Sequence, residues 1–245
     1  MTSVPYNSLL VALCLGAPAG LMASASPVSA EWFGDLYLGA AYTPRSDVTL
    51  VVRPPSGPAD HTFHDVKWDN SAVYGGRFGY WFKTAPWFGV GLDVFHFNSD
   101  LPTQTVPTTI LGATAPATLQ TIDFSVIALA FDVVRLRLPL LVSSEHPKGR
   151  LQPYATAGPA LFRTRAKNTT NAELSTVTAT DTSTGIKLGA GLSWQLAKQV
   201  AAFGEYRFTH FRAEPVFNSA LSSLRVPLQT DLNTHHLIGG VSFQF

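Results

Sequence analysis

Charge is the scarcest feature of this chain: Asp, Glu, Lys and Arg together make up 13% of its 245 residues, about half the share of an ordinary soluble domain. Long apolar runs do not replace it. Hydrophobic residues are an ordinary 46% and mean hydropathy is only +0.14. After Ala30 no apolar run approaches the roughly 20 residues of a membrane-spanning helix. A basic excess is missing too. With a formal net charge of +1 there is little to displace counterions from nucleic acid, which is excluded as the main partner. The longest basic cluster, Arg163-Thr164-Arg165-Ala166-Lys167, lies in a polar stretch. The one cysteine, Cys14, sits near the N-terminus, so the rest of the chain cannot be a disulfide scaffold.

Residues 1–30 contain no Asp, Glu, Lys or Arg. Their apolar core, Leu9-Leu10-Val11-Ala12-Leu13-Cys14-Leu15-Gly16, has the length of a signal-peptide h-region and is too short to span a bilayer. Val28-Ser29-Ala30 offers the small residues a signal peptidase needs, so cleavage is expected before Glu31, leaving one domain of residues 31–245. The pattern departs from the usual in lacking an N-terminal Lys or Arg. Read instead as a lipoprotein cysteine, Cys14 would follow Leu13, where a small residue is expected. An exported chain with this composition is either a soluble β protein or a membrane barrel, which alternates apolar with small or polar residues.

Such alternation recurs, rich in aromatic and β-branched residues, at 32–42, 72–82, 87–97, 121–136, 151–162, 185–196, 200–211 and 235–245. Most of these segments are close to the roughly 9 to 11 residues of a tilted membrane strand. Helical periodicity is absent. The connections alternate in length: a long polar segment after the first strand, then only Lys83-Thr84-Ala85-Pro86. A long loop at 98–119 is followed by a shorter one around 143–149. A long Thr-rich stretch at 163–184 is followed by Ala197-Lys198-Gln199, and 212–234 is long again. Long extracellular loops and short periplasmic turns are the rule for outer-membrane barrels, whereas a soluble sandwich has no reason to keep this order. The expected fold is all-β, an eight-stranded antiparallel up-and-down transmembrane β-barrel.

Facing follows from the alternation. Ile186, Leu188, Ala190, Leu192 and Trp194 share one face of the sixth segment, and Lys187, Gly189, Gly191, Ser193 and Gln195 share the other. Turned with the charge-free face outward, this gives a lipid-facing wall and a polar lumen. The lumen then collects Asp35, Arg77, Asp93, Asp132, Lys187, Glu205 and Arg207. Counting out from the 83–86 turn sets Arg77 opposite Asp93, while Glu205 and Arg207 should each sit near a glycine of the sixth strand. Charges inside a membrane protein must be paired or wet, and the interior of eight strands is only just wide enough for side chains. A structural salt-bridge network plugging the lumen is therefore expected, with a gated path or proton relay as alternatives. Trp32, Phe82, Trp87, Trp194, Phe243 and Phe245 fall near the short-turn side as an interfacial girdle.

Other chemistry is thinly signalled. Asp60-His61-Thr62-Phe63-His64-Asp65 has donor types for a divalent metal but falls in a long loop without preorganisation, so no metal site is assigned. His235 and His236 cannot face the same way on a strand. His210 has no accompanying nucleophile motif, and no phosphate loop or dinucleotide fingerprint is present. No catalytic residue and no cofactor are expected.

The stretches Tyr74-Gly75-Gly76-Arg77-Phe78-Gly79-Tyr80-Trp81, Gly89-Val90-Gly91-Leu92-Asp93, Gln152-Pro153-Tyr154 and Phe203-Gly204-Glu205-Tyr206-Arg207-Phe208 resemble the OmpA-type family of small outer-membrane barrels. So does the last strand, Ile238-Gly239-Gly240-Val241-Ser242-Phe243-Gln244-Phe245. Its Gly240, Phe243 and Phe245 match that family's barrel-assembly signal, while Ile238 departs from it where a polar residue is preferred. The resemblance implies residence in a bacterial outer membrane, contact with its lipid, handling by the barrel-assembly machinery and a monomeric barrel. The function expected is non-enzymatic: an envelope role, or contact with an extracellular partner through the long loops. A narrow channel and an outer-membrane lipid-modifying enzyme are the alternatives.

Overall fold

A computed structural model describes residues 31–53, 57, 59–144, 146, 148–168, 178–218 and 225–245. The segment 1–30, expected to be a signal peptide and carrying Cys14, lies outside the described residues. Alternating side chains make strands almost everywhere. In chain order they are β1 (Glu31–Tyr42), β2 (Ser46–Leu50), β3 (His61–Val66), β4 (Ser71–Trp81), β5 (Phe88–Asn98), β6 (Gln104–Ile110), β7 (Ala113–Leu119), β8 (Ile122–Arg137), β9 (Leu151–Asn168), β10 (Thr178–Ala197), β11 (Val200–Ala213), β12 (Val216–Asn218) and β13 (Arg225–Gln244).

Eight of them form the ring β1-β4-β5-β8-β9-β10-β11-β13, each antiparallel to its neighbour. The ring closes by pairing β1 with β13, from Phe33↔Gln244 to Tyr42↔His235. Closure removes every sheet edge from the wall, which lipid requires because it cannot satisfy a free N–H or C=O. The wall exposes Leu38, Phe78, Leu92, Phe131, Leu161, Ile186, Leu188, Leu192, Tyr206 and Leu237. An apolar surface of that extent is suited to a bilayer, not to water.

The upper part of the molecule differs from the expected loops. β9, β10 and β13 are 18, 20 and 20 residues long, so much of 163–184 and 212–234 is strand. The first two long loops fold as the hairpins β2–β3 and β6–β7, which join β13 in the order β13-β2-β3-β6-β7. The segment from His61 to Asp65 is therefore β3 and not an irregular loop. Beyond the bilayer, outward positions face water and take Thr in place of Leu, so the apolar half of the alternation disappears while backbone pairing continues. Threonine pairs such as Thr49–Thr62 (3.2 Å) and Thr109–Thr114 (2.8 Å) replace apolar contacts across these strands. The tip of β6–β7 is Leu111-Gly112, both with positive φ (50° and 83°), the backbone of a two-residue type I′ turn.

Candidate functional site: the charged interior

The interior charge cluster begins with an irregularity in β8. Gly89 pairs with Arg135 and Gly91 with Asp132, so two steps on β5 match three on β8. Across the other edge, Ala130 pairs with Ala160 and Val134 with Ala157. One extra residue is thus inserted in β8, a β-bulge, and Val133 and Val134 both face outward. Inward positions are even-numbered up to Asp132 and odd-numbered from Arg135 onward. Gly158 makes this possible, because a Cβ there would collide with the Phe131 carbonyl oxygen.

The bulge turns Arg135 and Arg137 into the lumen, each 5% exposed. With them and Glu31, the interior holds, among the described residues, five carboxylates (Glu31, Asp35, Asp93, Asp132, Glu205) and five cations (Arg77, Arg135, Arg137, Lys187, Arg207), all buried. Equal numbers matter: an unmatched charge at this depth costs several kcal/mol, on the order of 3–5 where a buried pair is broken.

Arg77 is the hub. Its guanidinium lies 2.7 Å from Glu205, 3.2 Å from Asp35, 3.2 Å from Asp93 and 3.4 Å from Asp132. Lys187 Nζ is 2.6 Å from both Asp93 and Asp132. Arg207 Nη2 is 3.0 Å from Asp93 and from Glu205. Toward the short-turn end, Arg135 lies 3.6 Å from Asp35 and Asp132, and Arg137 lies 2.6 Å from Glu31. Two tyrosines complete the network: Tyr37 donates to Asp93 and accepts from Arg207 at 3.0 Å, and Tyr154 donates to Glu205 at 2.9 Å. Space for both rings comes from glycines, since a Cβ at Gly75 or Gly240 would meet Tyr37 and one at Gly191 would meet Tyr154. Aromatic faces hold the cations as well, with Arg207 4.8 Å from the Tyr37 ring, Arg135 4.4 Å from Phe33 and Arg137 4.2 Å from Trp81.

Above the charges lies an apolar layer. Phe162 stacks on Phe211 at 4.1 Å, and Phe95 and Phe97, stacked on each other, each pack edge-to-face with His236 beside them. Below the charges is a cavity of about 20 Å³ bordered by Asp35, Arg135, Tyr154, Ser193 and Ser242, room for about one water.

All seven charges assigned to the lumen from the sequence are brought together here, with Arg77 opposite Asp93 and Gly189 and Gly191 opposite Arg207 and Glu205. Strict alternation missed Arg135 and Arg137, because it placed them on the face opposite Asp132. The available signal was energetic: a lipid-facing Arg costs up to about 2–4 kcal/mol at mid-membrane, so two arginines of that parity imply a shift of phase. Glu31, Tyr37 and Tyr154 were also missed, the first because it lies at the start of β1.

The remaining candidates do not converge. His64 contacts Asp47 and Thr109, each at 3.0 Å. Arg53 pairs with Asp60 and holds its carboxyl below the usual range, and Arg45 pairs with Asp65 at 2.8 Å. His210 contacts Asn233 at 2.7 Å. In the closing strand, Gly240 pairs with Tyr37, Phe243 pairs with Gly34, and the Phe245 N–H donates to the Trp32 carbonyl at 2.9 Å.

Comparison with known proteins gives one family and a set of folds. The model of the outer membrane protein beta-barrel domain matches residues 14–245. Among curated proteins no sequence match was found. Among solved structures the chain is similar to the outer membrane protein OprG of Pseudomonas aeruginosa, with TM-score 0.57 and 16% identity over 89% of this chain and 96% of that one. It is also similar to the outer membrane protease OmpT of Escherichia coli, with TM-score 0.50 and 7% identity over 91% of this chain and 100% of that one. At such identities the likeness is one of fold alone.

Proposed function

The chain belongs to the outer membrane protein β-barrel domain family, and from that premise we propose that it is a non-enzymatic barrel of the bacterial outer membrane with an envelope or surface-contact role. The single observation that carries this reading is the filled interior. The ion pairs radiating from Arg77 span the lumen, and the Phe95–Phe97–Phe162–Phe211 layer covers them. Proline- and threonine-rich hairpins above the wall then offer the surface for an extracellular partner, while outer-membrane lipid surrounds a monomeric barrel inserted by the assembly machinery through Gly240, Phe243 and Phe245.

Conductance is the deciding measurement. Purified protein inserted in a planar bilayer should give no stepwise current above leak, while a porin in the same bilayer does. Reproducible unitary steps from the wild-type barrel would overturn the plugged-lumen reading in favour of a narrow channel.

A further inference from the structure

The outer face of β9 carries a second charge arrangement with a different logic. Its outward side chains run Ala155, Ala157, Pro159 and Leu161, then Arg163, Arg165 and Lys167. The change is abrupt: four uncharged positions give way to three cations at successive outward positions. On the neighbours the same boundary is crossed. Ile127 on β8 lies opposite Arg163, with Ser125 and Asp123 opposite Arg165 and Lys167. On β10, Thr182, Thr180 and Thr178 lie opposite the three cations, with Ile186 below them.

The height of the column is set by strand geometry. Arg163 is twelve residues on from Leu151. At about 3.3 Å per residue and a tilt near 40° it stands roughly 30 Å above the short-turn end. The apolar band of such barrels is about 25 Å tall, so the column starts just above it on the extracellular side. Successive cations are about 6.6 Å apart, and among the described residues none of the three is ion-paired. Asp123 opposite Lys167 is the carboxylate that faces the column across the strand pair. On β11, by contrast, the outward Arg212 is paired, with Glu214 at 2.8 Å. Three like charges in a row repel one another unless an anion lies along them, and Arg in particular matches phosphate geometry.

We propose that this face of β8, β9 and β10 binds a phosphorylated lipid of the outer leaflet. Its acyl chains would lie over Leu161, Ile127 and Ile186, and its headgroup phosphates along Arg163, Arg165 and Lys167. The apolar surface directly beneath the cations selects an amphiphile over a soluble anion. This rests on the membrane placement of the barrel, which heat-modifiable gel mobility reports independently of any lipid binding.

The test is calorimetric titration of the full barrel in zwitterionic detergent with diphosphorylated lipid A, dephosphorylated lipid A and inorganic pyrophosphate. Saturable binding of the phosphorylated lipid alone is expected. Each cation near an anionic headgroup contributes about five-fold in affinity, so replacing all three (R163Q, R165Q and K167Q) should weaken binding on the order of a hundred-fold. R212Q should leave it unchanged. All three side chains are exposed, so the triple variant should keep its heat-modifiable mobility. If it does not, R165Q alone should still show about a five-fold loss. Equal affinity of wild type and variant, absence of saturable binding, or pyrophosphate binding as tightly as the lipid overturns the proposal.

Discussion

Replacing Gly158 with valine should turn two buried arginines out of the lumen. The bulge is the sole reason that Asp132 and Arg135, three positions apart, face the same side. A valine side chain at 158 would occupy the place of the Phe131 carbonyl oxygen and force strict alternation from Phe131 onward with every residue of β8 retained, so Arg135 and Arg137 rotate toward lipid and Leu136 rotates inward. Five carboxylates would then share the interior with three cations. Glu31 would lose its 2.6 Å partner and keep only Lys148 at 3.2 Å, and Asp35 would keep Arg77 alone. Stranding a buried charge costs roughly 3–5 kcal/mol. Each arginine, close to the short-turn end of the wall, adds up to about 1 kcal/mol on the lipid side. The expected loss is therefore about 4 kcal/mol or more, a large part of the stability of a typical domain. Urea titration of the barrel in lipid vesicles, read by heat-modifiable mobility, measures it. Val134→Ala keeps the bulge and should change the midpoint by less than about 1 kcal/mol. Phase can be read directly because no cysteine follows Cys14: Leu136→Cys should react with a lipid-soluble maleimide in the parent and be protected in the Gly158→Val variant. An unchanged urea midpoint together with unchanged labelling would refute the reasoning.

Arg137→Leu should destabilise the barrel by roughly 2–4 kcal/mol, moderated by Lys148, whereas Arg137→Leu combined with Glu31→Gln should recover most of that loss. A double-mutant cycle by urea titration checks this, and additive losses would contradict it. Deleting Phe245 should lower the amount of protein reaching the outer membrane far more than it shifts the urea midpoint of barrel refolded in vitro, because a single N–H to the Trp32 carbonyl is lost from the seam. Unchanged outer-membrane levels by fractionation would count against an assembly role.

The sequence by itself determined the ring. Period-2 alternation, turns in the order long-short-long and a charge-free face on each segment depend only on neighbours along the chain and on the solvent each face meets. They locate all eight barrel strands and the Asp35, Arg77, Asp93, Asp132, Lys187, Glu205 and Arg207 set. Two things were illegible, for different reasons. Above the membrane both faces of a strand can be polar, so β2, β3, β6 and the upper halves of β9, β10 and β13 carry a loop-like composition and are revealed only by their partners. The phase of β8 is set by a cross-strand contact, the Phe131 carbonyl resting where Gly158 has no side chain, and by the need to match charge in a closed space. Neither is a property of residues 131–137 alone. Tertiary structure therefore decided which way Arg135 and Arg137 point, and with that the balance of five charges against five that lets the interior close.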